Sequence, residues 1–124
     1  MSRKILVIDD DIDLVEVLRI VLEKEGFEVL DAQDGERGIR MVLEQKPDLI
    51  ILDVMMSTED EGFHVATRLK SDPQYKEIPI IMLTAVGQMT GYKYDKDKDN
   101  VPVEEYIEKP IMPNTLLEVI HRYL

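Results

Sequence analysis

Several residue types that would point to particular classes of protein are absent or scarce in this chain. It has no cysteine, which excludes a disulfide framework. There are only 15 Lys and Arg against 26 Asp and Glu, a formal charge of −11, which argues against sequence-independent binding to nucleic acid. Its apolar runs fall well short of the roughly 20 residues that span a bilayer, and no cleavable signal pattern begins the chain. We therefore expect a cytoplasmic protein without membrane insertion.

The chain does contain short apolar runs that alternate with helical patterns. The predicted strands are residues 4–8, 27–32, 48–53, 78–84 and 105–108. The predicted helices are residues 12–25, a segment around 39–43 that ends before Pro47, residues 62–71, and a last helix that begins near Pro113. This alternation predicts an α/β fold with a doubly wound, five-stranded parallel sheet. A length of 124 residues suits one domain, which we place at 1–124.

Residues 87–102 break the alternation. Two Gly, one Pro and the charged run 95–100 leave little apolar face to bury, so we predict a loop with at most one helical turn. Asp95, Asp97 and Asp99 have the spacing of a calcium-binding loop. The required Gly is absent, however, and Tyr106 stands where the closing Glu belongs. A solvated charged loop is the favoured interpretation.

Polar side chains lie at the carboxyl ends of four predicted strands. Asp9 and Asp10 follow the first, Asp53 ends the third, Thr84 ends the fourth and Lys109 follows the fifth. An acidic residue after a strand is often only a helix cap, and a single Thr or Lys carries no signal. Together, the Asp carboxylates form a cluster of hard oxygen ligands suited to Mg²⁺, with Lys109 nearby and one carboxylate available to attack phosphorus. Phosphoryl transfer would then need mainly positioning and charge neutralisation.

Four motifs at these positions resemble those of bacterial response regulator receiver domains, the CheY-like family. They are Asp9-Asp10, Leu-Asp-Val-Met-Met around Asp53, Leu83-Thr84-Ala85 and Lys109-Pro110. The resemblance implies a flavodoxin-like fold in which a sensor histidine kinase or phosphotransfer protein phosphorylates Asp53. It also implies that Asp10, Asp53 and the Met55 carbonyl bind Mg²⁺, with Asp9 assisting through metal-bound water.

The same resemblance implies a switch. Lys109 would pair with a phosphoryl oxygen, and the peptide bond before Pro110 would be cis. Thr84 would move to bond the phosphate, and Tyr106 would rotate inward beside the small Ala85. The fourth helix of the family is not recognisable between Thr84 and Lys109, and we expect it to be short or disordered.

The residues beside the expected water route predict a long-lived phosphorylated state. In the family, the side chains two residues after the phosphorylated Asp and two after the Thr flank that route. They are Met55 and Val86 here, and neither orients water by hydrogen bonding. The loop after Asp53 also departs from the family pattern, because Ser57 replaces Pro and Gly62 comes one residue late. That difference bears on the fit to a kinase.

Two alternatives compete with a phospho-accepting receiver. A haloacid dehalogenase-type hydrolase needs a second Asp two residues after the nucleophile, where this chain has Met55. A degenerate receiver that acts only as a binding module is opposed by the complete set of five polar residues. We expect no turnover enzyme. With no DNA-binding segment after the last helix, we expect output through contact with a downstream protein, without direct binding to nucleic acid, either as a stand-alone regulator or as a phosphorelay intermediate, unless the sequence is a fragment of a longer chain.

Overall fold

Five parallel strands form one sheet in the computed structural model, which describes residues 2–56, 61–85 and 103–124. The strands are β1 (Lys4–Ile8), β2 (Glu28–Ala32), β3 (Leu49–Asp53), β4 (Ile80–Thr84) and β5 (Glu105–Glu108). Their order is β2-β1-β3-β4-β5, and each neighbouring pair is parallel. The predicted doubly wound, five-stranded sheet is confirmed.

Helices cover both faces of the sheet. Those in the described residues are α1 (Ile12–Lys24), α2 (Gly35–Gln45), α3 (Glu61–Lys70) and α4 (Pro113–Tyr123). One core cluster joins the sheet to α2 and α3, and the other joins it to α1 and α4. The side chains of β1 alternate between the two clusters. Leu6 and Ile8 belong to the first, and Ile5 and Val7 belong to the second. A strand buried on both faces explains the uninterrupted apolar run.

Side-chain caps start two helices soon after their strands. The Asp11 carboxylate accepts a hydrogen bond from the Leu14 N–H and caps α1, and Asp34 caps α2 in the same way. Gly26 follows α1 with φ of 94°, a left-handed conformation that favours glycine. By contrast, Met112 provides no side-chain cap to α4, as its apolar side chain predicts. Early capping keeps the loop after β1 short at the carboxyl edge of the sheet.

Gly62 allows α3 to approach β3 closely. Its N–H donates to the carbonyl oxygen of Val54 at 2.8 Å. A Cβ atom on Gly62 would lie only 2.1 Å from the carbonyl oxygen of Asp53 and 2.7 Å from the Cα of Val54. Because any side chain would collide with this backbone, glycine is required for the observed position of α3.

The structure adjusts some predicted boundaries. Helix α3 begins one residue earlier than predicted, and β4 begins two residues later, at Ile80, because Pro79 has no N–H to donate. The predicted loop at 87–102, the shortened or disordered fourth helix and the rejected calcium loop all lie outside the described residues. Among the helices that the structure describes, none has the length and apolarity needed to cross a membrane.

Candidate functional site

The predicted polar residues meet at the carboxyl edge of the sheet. Asp9 follows β1, Asp53 ends β3, Thr84 ends β4 and Lys109 follows β5. These four strands are consecutive neighbours in the sheet, so their ends converge. Asp9, Asp53 and Thr84 are buried, with relative exposures of 0%, 5% and 0%. These three are the buried polar residues of the described part of the chain, and their meeting at one edge of the sheet marks the cluster as the candidate site.

Three carboxylates form a group that could hold a metal ion. One oxygen from each of Asp9, Asp10 and Asp53 lies within 4.8 Å of the others. Asp9 Oδ1 accepts a hydrogen bond from the Asp11 N–H at 2.9 Å. Asp9 Oδ2 is buried, yet it has no hydrogen-bond partner within the described residues. This buried oxygen of Asp9, close to the carboxylates of Asp10 and Asp53, suits the binding of a hydrated divalent cation such as Mg²⁺.

Lys109 provides the positive charge nearest to these carboxylates in the described part of the chain. Its Nζ atom lies 3.5 Å from Asp53 Oδ1 and 3.7 Å from Asp9 Oδ2. Its N–H donates to the carbonyl oxygen of Thr84 at 2.6 Å, which ties the residue to the end of β4. The Lys109–Pro110 peptide bond is cis, as the resemblance implied. The ammonium group therefore sits over the two buried carboxylates and remains partly exposed to solvent.

The carboxylates are poorly neutralised by protein groups alone. Burial, followed by the negative charge of Asp9, raises the pKa of Asp53 to about 6, although Lys109 and the Met55 N–H act in the opposite direction. Burial also raises the pKa of Asp9. Burial is the main reason that both carboxylates hold a proton more tightly, and for Asp53 the charge of Asp9 adds to it; a divalent cation would stabilise the ionised forms.

Thr84 and Tyr106 lie on the neighbouring strands β4 and β5. The Thr84 hydroxyl is buried and makes no hydrogen bond to any other described residue, so it has capacity for a further partner. Tyr106 is half-buried, lies opposite Met82 and packs against the core cluster beneath α2 and α3. The predicted switch roles of both residues stay predictions.

Met55 lies at the rim of the site with a relative exposure of 44%. Its N–H bonds to the Asp53 carboxylate, which places the residue in the loop directly beside that group. The predicted use of the Met55 carbonyl as a metal ligand stays a prediction. Val86 and Ser57, the other positions tied to phosphoryl lifetime and kinase fit, lie outside the described residues.

Two supporting contacts were missed by the sequence interpretation. Asp11 is not among the site residues predicted from the sequence, but its N–H donates to Asp9 Oδ1 and orients that carboxylate. Glu61, at the start of α3, accepts a hydrogen bond from the N–H of Gly35 at 2.6 Å and joins the first turns of two helices. The first contact is an Asx turn, for which the acidic run after β1 is a recognisable signal. The second joins residues 26 positions apart and has no local signal.

Comparisons with known proteins agree with this arrangement. A family model described as response regulator receiver domain matches residues 5–121. The chain is 35% identical over 117 residues to the phosphate regulon transcriptional regulatory protein PhoB of Pseudomonas aeruginosa, covering 94% of this chain and 49% of that protein. It is 38% identical over 114 residues to the alkaline phosphatase synthesis transcriptional regulatory protein PhoP of Bacillus subtilis, covering 91% and 45%.

Solved structures give the same result. Chemotaxis protein CheY4 of Vibrio cholerae matches with a TM-score of 0.88 at 29% identity, with 100% of each chain covered. A structure described as a putative response regulator from Chloroflexus aurantiacus also matches with a TM-score of 0.88 at 29% identity. The match covers 99% of this chain and 98% of that chain. The chain spans about half the length of the curated relatives it matches.

Proposed function

This chain belongs to the receiver domain family of two-component response regulators, and on that premise we propose that Asp53 accepts a phosphoryl group in the presence of Mg²⁺. The observation that carries the proposal is the meeting of Asp9, Asp53, Thr84 and Lys109 at one edge of the sheet. A buried oxygen of Asp9 and the buried hydroxyl of Thr84 have no hydrogen-bond partner among the described residues. Such atoms suit ligands that arrive from outside the chain.

Asp53 is the proposed nucleophile. One carboxylate oxygen of Asp53 forms a bond to phosphorus as the bond between phosphorus and the donor's leaving atom breaks, and the leaving group departs with that electron pair. With a pKa of about 6, Asp53 is mostly ionised at pH 7 even without a cation. The Met55 N–H and Lys109 hold the carboxylate in place for this attack.

The proposed Mg²⁺ ligands are Asp10, Asp53 and the carbonyl of Met55, with Asp9 acting through a water ligand. A bound divalent cation supplies positive charge that offsets the carboxylates and an incoming phosphoryl oxygen. Lys109 would donate to a second phosphoryl oxygen, since its ammonium lies 3.5 Å from Asp53 Oδ1. The Thr84 hydroxyl would donate to a third, and Tyr106 would follow its movement.

The proposed partners are a sensor histidine kinase or phosphotransfer protein and a downstream protein target. Exposed apolar side chains support a protein partner at this edge, because Ile12, Met55 and Met112 have relative exposures of 57%, 44% and 61%. Each follows a polar site residue by two or three positions. The domain would act once per phosphorylation event and not as a turnover enzyme.

Intact-mass measurement tests the proposal. Wild type incubated with Mg²⁺ and acetyl phosphate should gain one phosphoryl group, whereas Asp53→Asn should gain none, and chelation of Mg²⁺ should abolish the gain. Because small donors differ in efficiency, the test is repeated with a histidine kinase as donor. A folded wild type that gains no mass from either donor would support a degenerate receiver that only binds partners.

A further inference from the structure

An ion pair between a lysine with a buried side chain and a glutamate whose side chain is 27% exposed lies at the end of the sheet opposite the candidate site. Lys70, the last residue of α3, pairs with Glu104, the residue before β5. Lys70 Nζ is 2.8 Å from Glu104 Oε2, and only 6% of the Lys70 side chain is exposed. Burial of a charge is costly unless all of its hydrogen-bonding groups are satisfied. The neighbouring contacts meet this condition.

The pair connects the start of β4 with the residue before β5. Lys70 Nζ also donates to the carbonyl oxygens of Lys76 and Ile78, each at 2.9 Å, so its three protons have three acceptors. Glu104 Oε1 accepts from the N–H of Ile80 at 2.8 Å, and the Glu104 N–H donates to the Ile80 carbonyl oxygen at 3.1 Å. Glu104 thus holds both main-chain groups of the residue that begins β4.

This contact fixes the register of a short edge strand. β5 has four residues and neighbours only β4 in the sheet. Its register runs from Ile81 opposite Glu105 to Thr84 opposite Glu108, and Lys109 comes next. A slip of one residue would reverse the faces of β5 and displace Lys109. A four-residue ladder alone is a weak barrier to such a slip.

We infer that Lys70 and Glu104 are positioning residues, which hold the β4–β5 register that brings the Lys109 ammonium to Asp53. Their effect passes along β5, from Glu104 at its start to the Lys109 N–H bonded to Thr84 at its end. The catalytic consequence rests on the proposed function, because it assumes that Lys109 serves phosphoryl transfer. The structural consequence, the placement of Lys109, does not depend on it.

The kinetic test compares Lys70→Met, Glu104→Met and the double variant with wild type, because methionine removes both the charge of Glu104 and its acceptor for the Ile80 N–H. The double variant removes both charges, so it avoids leaving one buried charge unpaired. The rate of phosphoryl gain from acetyl phosphate should fall about tenfold to a hundredfold, as expected for a misplaced catalytic group. Arg68→Met and Glu36→Met are matched controls, since that pair lies on the surface with side-chain exposures of 62% and 82%.

The same substitutions in the Lys109→Ala variant distinguish a positioning role from general damage to the fold. In Lys109→Ala, the Lys70 and Glu104 substitutions should cause no further loss of rate, because their effect passes through Lys109. A loss of the same size in both backgrounds would overturn the inference. Equal rates in wild type and the folded double variant would also overturn it.

Amide hydrogen exchange tests the same inference without phosphorylation. In the double variant the Lys109 amide should exchange about tenfold faster than in wild type, while the Val54 amide, bonded to Leu83 across β3 and β4, should not change. Unchanged exchange at Lys109 would refute the positioning role. If wild type accepts no phosphoryl group, the proposed function fails and the exchange result alone decides the inference.

Discussion

Asp9 and Asp53 present ligand oxygens within 4.8 Å of each other in the interior of the protein. The negative charge of Asp9 adds to the effect of burial and raises the pKa of Asp53 from 3.8 to about 6. The folded domain therefore binds a proton at Asp53 more tightly than the unfolded chain does. Without a cation, ionisation of this site works against folding at neutral pH.

The first prediction concerns the pH dependence of stability in the metal-free protein. Stabilisation by the protonated Asp53 is complete below pH 3.8 and is lost as the pH rises through about 6. Asp53→Asn removes this loss, so at pH 7 the variant should be more stable than wild type by about 1 to 3 kcal/mol. Urea unfolding with chelator between pH 4 and pH 7 measures the difference. A difference that stays constant across this range would contradict the raised pKa.

The second prediction concerns Mg²⁺. If the dissociation constant is near 1 mM, about 10 mM Mg²⁺ should stabilise wild type by about 1.4 kcal/mol. Asp10→Asn should lose most of this gain, because it removes one of the three clustered carboxylates. Glu44→Gln, an exposed acidic position on α2, should retain the full gain. Thermal unfolding with and without Mg²⁺ measures the effect, and equal gains in both variants would exclude a specific site.

The third prediction concerns Lys109, whose positive charge should favour phosphoryl transfer and oppose Mg²⁺ binding. Lys109→Ala should slow phosphoryl gain from acetyl phosphate by about 10²-fold or more, because a donor to the developing charge is lost. The same variant should bind Mg²⁺ more tightly, because an ammonium 3.5 Å from Asp53 no longer repels the cation. Intact-mass time courses and Mg²⁺ titrations measure the two effects. Lys24→Ala, on the exposed end of α1, should change neither, and a parallel loss of both properties in Lys109→Ala would indicate structural damage.

The ends of the strands could be predicted from local signals. An apolar run that stops at a charged or hydroxyl residue identifies Asp53 and Thr84 directly, because β3 and β4 are buried along their whole length. Parallel order then brings these ends together. The Lys70–Glu104 pair could not be predicted in this way, since its members are 34 residues apart and depend on the β4–β5 register. Contacts set by packing between distant segments leave no periodic pattern in the chain.

Gly62 provides the fourth prediction. Gly62→Ala places a Cβ atom 2.1 Å from the Asp53 carbonyl oxygen, so α3 or the end of β3 must move. We expect a loss of about 2 kcal/mol in unfolding free energy and weaker binding of Mg²⁺. Gly26→Ala is the control, because nothing lies within 4 Å of its added Cβ and only its positive φ is strained. That variant should lose about 1 kcal/mol with unchanged Mg²⁺ affinity. Equal Mg²⁺ affinity in both variants would show that the close approach of Gly62 does not affect the metal site.

The fifth prediction concerns the lifetime of the phosphorylated state. Met55 lies beside Asp53 with 44% of its surface exposed, and its thioether is a poor partner for water. Met55→Asn supplies a donor and an acceptor that can orient an attacking water, so phosphoryl loss should accelerate by about tenfold or more. Met112→Asn is the matched control, since Met112 is 61% exposed but lies in the loop after β5 and not in the loop after Asp53.

Loss of the added mass after removal of the donor measures these lifetimes in wild type and both variants. Phosphoryl loss within seconds in wild type would contradict slow self-dephosphorylation, and an unchanged lifetime in Met55→Asn would show that Met55 does not flank the water route. Because the control adds the same side chain at a comparably exposed methionine, faster loss in Met55→Asn alone would locate the effect beside Asp53. That outcome would make the residue two positions after the phosphorylated carboxylate a determinant of how long the signal lasts.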